Sequence, residues 1–285
     1  MRIACVRLLP ALFLFPRLGA QTAAPELPAP PELIDRLVAN ALHYHQTLPS
    51  ITASETIDSE GSYMIFHHRV QAKGVFRVVR NPSSDELDES RQVTEVDGKP
   101  VPPGQRAGLP WTLTGGFGKF QELFFKAANR PCFTFTLLPG AGPKETGPKE
   151  TVPKEMVQIA IAEQPEIATM PTCKMRGVTG LARVDPVTGQ VVYLERTVPV
   201  EIALKSHLAP WAMVEIAPAK IGDEIFWLPT VVVGTFVDGK IKGKFTAHYS
   251  NYHRYTGSIT ILPGVTAVDA PDSTPAPIPA KPPPN

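Results

Sequence analysis

The sequence predicts an α+β domain built on a single strongly curved antiparallel β-sheet, a half-barrel with an N-terminal helix and a mid-chain helix covering its concave face. Three observations predict it. Apolar residues alternate with period two over most of residues 52–262, the spacing of strands. Short turn signals separate the runs, and strands joined by turns this short must pair antiparallel. Only residues 32–45 and 117–128 carry helical spacing instead.

Residues 1–20 have the layout of a secretory signal. Arg2 gives the positive start, an apolar stretch runs from Ile3 to Phe15, and the small residues Gly19 and Ala20 precede Gln21. The stretch is too short and too charged to span a bilayer, and no other segment is apolar enough to do so. Its removal takes away three arginines and shifts the formal charge from +1 to −2, leaving 25 basic against 27 acidic residues. A surface this near neutrality, with no cluster of lysine and arginine, excludes nucleic acid and anionic membrane as main partners. The expected location is outside the cytoplasm, periplasmic or extracellular. There Cys132 and Cys173 form a disulfide candidate, the alternative being two buried free thiols.

Residues 21–31 read as a Pro/Ala linker, with Pro31 suited to the first position of a helix. Leu33, Ile34, Leu37, Val38, Ala41 and Leu42 then give one amphipathic helix, which Pro49 prevents from continuing. Strands are expected at 52–58, 62–71, 73–80 and 90–96, with a turn at Asp97-Gly98. A second helix is expected over 117–128, with Phe117, Phe120, Leu123, Phe124, Ala127 and Ala128 on one face. Strand 132–138 leads to a low-complexity insert at 142–155, where PKET occurs twice and PKE once more. Such a stretch cannot bury a core and is expected to be a flexible loop tip. Further strands are expected at 156–162, 178–185, 190–198, 211–219, 223–236, 240–252 and 257–262. The domain thus spans 32–263, followed by a disordered Pro-rich tail over 264–285.

Several strands carry large apolar groups on both faces. In 225–233, Ile225, Trp227 and Val233 point one way, and Phe226, Leu228 and Val232 the other. An antiparallel sheet with one wet face alternates more cleanly, so both faces are expected to be covered. The aromatic concentration Trp111, Phe117, Phe120 and Phe124, with Trp227, is the candidate apolar cavity or lid. Phenylalanines at helical spacing are equally explained as core.

No catalytic residue or metal ligand can be named. G-x-S-x-G, S-x-x-K, Walker and H-E-x-x-H motifs are absent. Gly115-Gly116-Phe117-Gly118 lacks the Lys/Ser pair of a phosphate loop. His43 and His45 diverge on a helix, and His67 and His68 face opposite sides of a strand. The reading is non-enzymatic and without cofactor, a hydrolase with a dispersed site being the minority alternative.

Gly180-Leu181-Ala182-Arg183-Val184-Asp185 followed by Thr188-Gly189-Gln190-Val191, then Phe226-Trp227-Leu228-Pro229, then Tyr249-Ser250-Asn251-Tyr252-His253-Arg254-Tyr255 resemble late hairpins of the LolA-like outer-membrane lipoprotein carriers. The periplasmic sensors of the sigma-factor regulatory system share that half-barrel. The resemblance covers about residues 180–260 and implies a curved sheet with helices over its hollow, binding an acyl chain or lipoprotein. The expected function is therefore an exported binding protein, carrying or sensing a lipid, acyl chain or lipidated protein. The alternative is an envelope protein-interaction or sensory module with no small-molecule ligand.

Overall fold

The computed structural model describes residues 27–63, 66–81, 83–84, 86–102, 117–138, 156–166, 173, 176–206, 208–238 and 241–255. The expected signal segment 1–20, most of the linker, Trp111, the insert at 142–155, strand 257–262 and the tail 264–285 lie outside the described residues.

Helix α1, Pro31–Thr47, opens on the proline expected at its first position and buries Leu33, Ile34, Leu37, Ala41 and Tyr44 along one stripe. Its last carbonyls would otherwise lack donors. Arg80 supplies them, donating to the carbonyls of His45 and Leu48. Two further bonds fix where the helix lies. The Arg36 guanidinium donates to the Pro186 carbonyl at 2.9 Å, and the Asn40 amide to that of Thr188 at 2.9 Å. The turn foreseen at 185–189 is thus the ledge on which α1 rests.

The strands are β1 Leu27–Pro28, β2 Ile51–Tyr63, β3 Phe66–Arg80, β4 Leu87–Val96, β5 Lys99–Pro100, β6 Phe133–Leu138, β7 Val157–Glu163, β8 Thr179–Val184, β9 Val191–Thr197, β10 Trp211–Ile221, β11 Glu224–Asp238 and β12 Ile241–Arg254. They form one antiparallel sheet in the order β1-β6-β7-β8-β9-β10-β11-β12-β2-β3-β4-β5, in which the edge strands β1 and β5 are not joined to each other. This is the open half-barrel expected. Its continuity depends on β12 pairing with β2, from Lys242 opposite Ser62 to Arg254 opposite Ile51. Register shifts between Lys73 and Gly74, Arg183 and Val184, Glu215 and Ile216, and Ser250 and His253 mark bulges, each of which bends its strand. The Asp97-Gly98 turn has positive φ at both residues, 48° and 77°, as the two-residue β4–β5 hairpin requires.

Three sequence expectations need correction. Strands 62–71 and 73–80 are not separate; β2 runs through 59–61 and the chain reverses between Tyr63 and Phe66. Residues 59–61, left between the two expected strands, belong to β2, with Ser59 and Gly61 buried and Glu60 exposed. Helix 117–128 shrinks to a single turn, α2 at Glu122–Phe125, between tighter turns and a short 3₁₀ segment at Arg130–Cys132. A helix α3 at Val200–Ser206 was not foreseen, because seven residues are too few to show periodicity.

The expectation that both sheet faces are covered also fails on β11. Phe226, Leu228 and Val232 are buried, whereas Trp227 and Val233 are half-buried and Ile225 is 66% exposed. Branched residues favour strand geometry on either face, so their presence alone does not demand a second core. The buried set lines the concave side: Ala53 and Ile57 on β2, Phe76 and Val78 on β3, Ile159 and Ile161 on β7, and Phe245 and Ala247 on β12.

Cys132 and Cys173 are bonded, with their Cα atoms 5.6 Å apart and a sequence separation of 41. Replacing both by serine is expected to lower unfolding stability by about 4 kcal/mol through loop-closure entropy. A urea titration of the two proteins checks this; coincident midpoints would contradict it.

Candidate functional site

The concave face is occupied by the chain's own phenylalanines. Phe117, Phe120, Phe124 and Phe125, on the segment around α2, are all essentially inaccessible to solvent. Phe117 meets Phe245 of β12 at a ring separation of 6.2 Å, Phe124 meets Phe133 of β6 at 5.1 Å, and Phe125 stacks on Phe135 at 6.0 Å. The segment therefore crosses the hollow from the β12 side to the β6 side. The sheet is shaped to receive it. A Cβ placed on Gly180 would lie 2.6 Å from the ring of Phe124, so the absent side chain is what lets that ring rest on β8. These contacts account for the short α2: ring positions set by the sheet override a continuous helix that aromatic side chains favour only weakly.

Charged groups are buried beneath and beside the rings. Arg91 on β4 lies over the rings of Phe76 and Phe117, at 5.0 and 5.6 Å. It donates to the Glu55 carboxylate at 2.9 Å and to the Tyr249 hydroxyl at 3.4 Å. Glu89 accepts bonds from three successive backbone N–H groups, those of Phe117 at 2.9 Å, Gly118, and Lys119 at 3.2 Å. A carboxylate thus clasps the start of the phenylalanine segment. Burial raises the Glu89 pKa, and Arg91 and the three amides oppose the rise. Glu122 of α2 pairs with His45 of α1 at 3.1 Å. Arg196 of β9 is 4% exposed, with the ring of Phe120 4.7 Å from its guanidinium carbon. Its Nε and Nη2 have no hydrogen-bond partner among the described residues.

Of the residues singled out from sequence, the structure brings Phe117, Phe120 and Phe124 together. Trp227 is half-buried and lines a hollow of about 70 Å³ with Tyr44 and Gln121, to which those three rings do not contribute. Larger hollows, about 600 Å³ beside His67, His68, Arg69 and Lys242 and about 380 Å³ beside Asp58, Lys73 and His248, are formed largely by residues alternating with the buried set. The apolar cavity expected beneath the 117–128 segment is instead filled by that segment. Among the described residues no three of His, Cys, Asp and Glu gather as metal ligands, and no helix is long and apolar enough to cross a membrane.

The buried charges escaped the sequence reading. Arg196 carries a usable signal, since it alternates with the apolar Leu194 and Val198 and so faces inward on β9. Glu55 falls likewise between the inward Ala53 and Ile57.

Comparison of the sequence with family models and with curated proteins gave no match. Among solved structures the chain is similar to a LolA superfamily protein from Nitrosomonas europaea, at 10% identity and a TM-score of 0.32 over 79% of this chain and 94% of that one. It is similar to a DUF1329 family protein from Desulfovibrio piger, at 10% identity and 0.32 over 79% and 95%. A Vibrio parahaemolyticus domain described as an outer membrane lipoprotein-sorting protein gives 10% identity and 0.33 over 79% and 95%.

A valine at Gly180 is expected to destabilise the fold by about 1–3 kcal/mol, because the Phe124 ring must give way. Urea unfolding checks it; an unchanged midpoint would contradict the packing. A second expectation concerns alkaline pH. Burial raises the pKa of Tyr44, Tyr249 and Tyr252 above the ordinary tyrosine value. Unfolded tyrosines ionise near pH 10 while the folded ones keep their protons, so the unfolded state binds fewer protons and stability falls as pH rises. Arg196, pushed down to about 10 by burial, acts in the opposite sense, but one group stands against these three and Tyr193, whose pKa burial also raises. The urea midpoint should fall between about pH 9 and pH 11; a level or rising midpoint would contradict this.

Proposed function

We propose that this chain is an exported, non-catalytic binding protein of the cell envelope. Its concave face takes an acyl chain, free or attached to a lipid or lipidated protein, where Phe117, Phe120, Phe124 and Phe125 now lie. The observation that carries this reading is the filling of the hollow by one short segment rather than by the sheet's own side chains alone. That segment has a single helical turn, so little regular structure is lost when it leaves. The disulfide supports the oxidising compartment.

The energetics allow exchange. Burying four phenylalanines contributes roughly 6–12 kcal/mol at about 1.5–3 kcal/mol each. A palmitoyl chain with about 14 methylenes offers roughly 11 kcal/mol at about 0.8 each. The two are close, so the ring segment competes with a ligand without excluding it. The polar groups below the rings, Glu55 bonded to Arg91 and Glu122 to His45, have partners and need no ligand.

The test is titration of the delipidated full-length protein and its Phe124→Ala variant with palmitate, by calorimetry. Removing a ring weakens the competitor, so the variant should bind about tenfold more tightly for each 1.4 kcal/mol of lost ring packing. Absence of palmitate binding by both proteins would reject the reading and favour a protein-interaction role.

A further inference from the structure

The concave face holds one cation, Arg196, for which the described residues supply no anion. Across the ladder, Arg196 is flanked by Gly180 of β8 and Ala212 of β10, both too small to shield it or bond to it. The guanidinium is buried, two of its nitrogens lack any acceptor among the described residues, and Phe120 covers it. The contrast with its surroundings is sharp. Arg91 has Glu55 and Tyr249, Glu89 has three amides, and Glu122 has His45.

Burial lowers the Arg196 pKa to about 10, so the group stays charged at neutral pH with no anion among the described residues to offset it. An unpaired buried charge is strongly destabilising, and folds normally supply a partner or use an apolar residue of similar size. The segment that precedes the phenylalanines, residues 103–116, contains neither Asp nor Glu. The planar guanidinium is suited to two parallel bonds from a carboxylate or phosphate.

We propose that Arg196 anchors the anionic headgroup, carboxylate or phosphate, of an amphiphile whose acyl chain occupies the phenylalanine site. This rests on the acyl-binding reading above and adds the class of ligand. Departure of Phe120 uncovers the guanidinium in the same movement that vacates the apolar surface. The head and the chain are therefore received together, and the cation is hidden again when the ligand leaves.

The experiment compares three probes of equal chain length, palmitate, hexadecyl phosphate and hexadecanol, on the wild-type protein, Arg196→Met and Arg196→Lys. Wild type should bind the anions at least about tenfold more tightly than hexadecanol, since only an anionic head makes charge-assisted bonds with the guanidinium. Arg196→Met should reduce the anions to the level of hexadecanol and leave hexadecanol itself unweakened. Arg196→Lys should keep part of the preference. The tighter of the two anions identifies the head as carboxylate or phosphate. Arg196→Met should also raise the Tm of the ligand-free protein, because it removes an unpaired buried charge.

Equal binding of all three probes by wild type, or an anion preference surviving in Arg196→Met, would overturn the anchor and leave acyl binding intact. Binding of none of the three would overturn acyl binding and the anchor with it. A lower Tm for Arg196→Met would show that the cation is satisfied within the fold, and would also overturn the anchor.

Discussion

The packing of four phenylalanine rings against the inside of a bent sheet is the interaction on which the rest of this structure depends. A half-barrel has a hollow side, and its buried strand positions must meet something other than water. Here they meet Phe117, Phe120, Phe124 and Phe125, carried on a segment with only one turn of helix. Gly180 shows that the fit is mutual, since the sheet gives up a side chain where Phe124 lands. The bulges that bend the strands and the rings that fill the bend answer the same geometric demand.

Two attachments hold the segment at opposite ends. Glu89 clasps its beginning through the amides of residues 117–119. The Cys132–Cys173 bond ties the chain just after it to the stretch that leads into β8. The first attachment is a set of hydrogen bonds and can open; the second is covalent and cannot, short of reduction. A segment fixed at one end and clasped at the other is suited to swinging aside without leaving the molecule. Helix α1 adds a further contact through His45 and Glu122, so α2 is also tied to the helix that rests on the turn at 185–189.

Much of this architecture was legible in the sequence because strands and turns have local signatures. Period-two alternation located most strands, Asp97-Gly98 and 185–189 were turns as expected, and Pro31 opened α1. The half-barrel followed from counting antiparallel neighbours. What failed was decided by tertiary contact. The helical spacing of Phe117, Phe120 and Phe124 is genuine, yet the sheet, not a helix, sets where those rings point. Gly61 sits inside β2, although glycine among polar residues reads as a turn, because it pairs with both His68 and Gly243 in the ladder. The candidate site was half visible: aromatic clustering marked the segment that fills the hollow, but the charges beneath it did not stand out. Arg196 and Glu55 were passed over because a charge in an alternating run is ordinarily assigned to the wet face, and only the register with Leu194 or Ala53 argues otherwise.

The central claim is that the phenylalanine segment occupies a place that an acyl chain can take. Amide hydrogen exchange over residues 117–125, with and without saturating palmitate, tests it most directly. The account predicts slow exchange in the ligand-free protein and a marked loss of protection confined to this segment and its clasp when the ligand is bound. Unchanged protection of these amides, with palmitate demonstrably bound, would place the ligand elsewhere and leave the rings as permanent core.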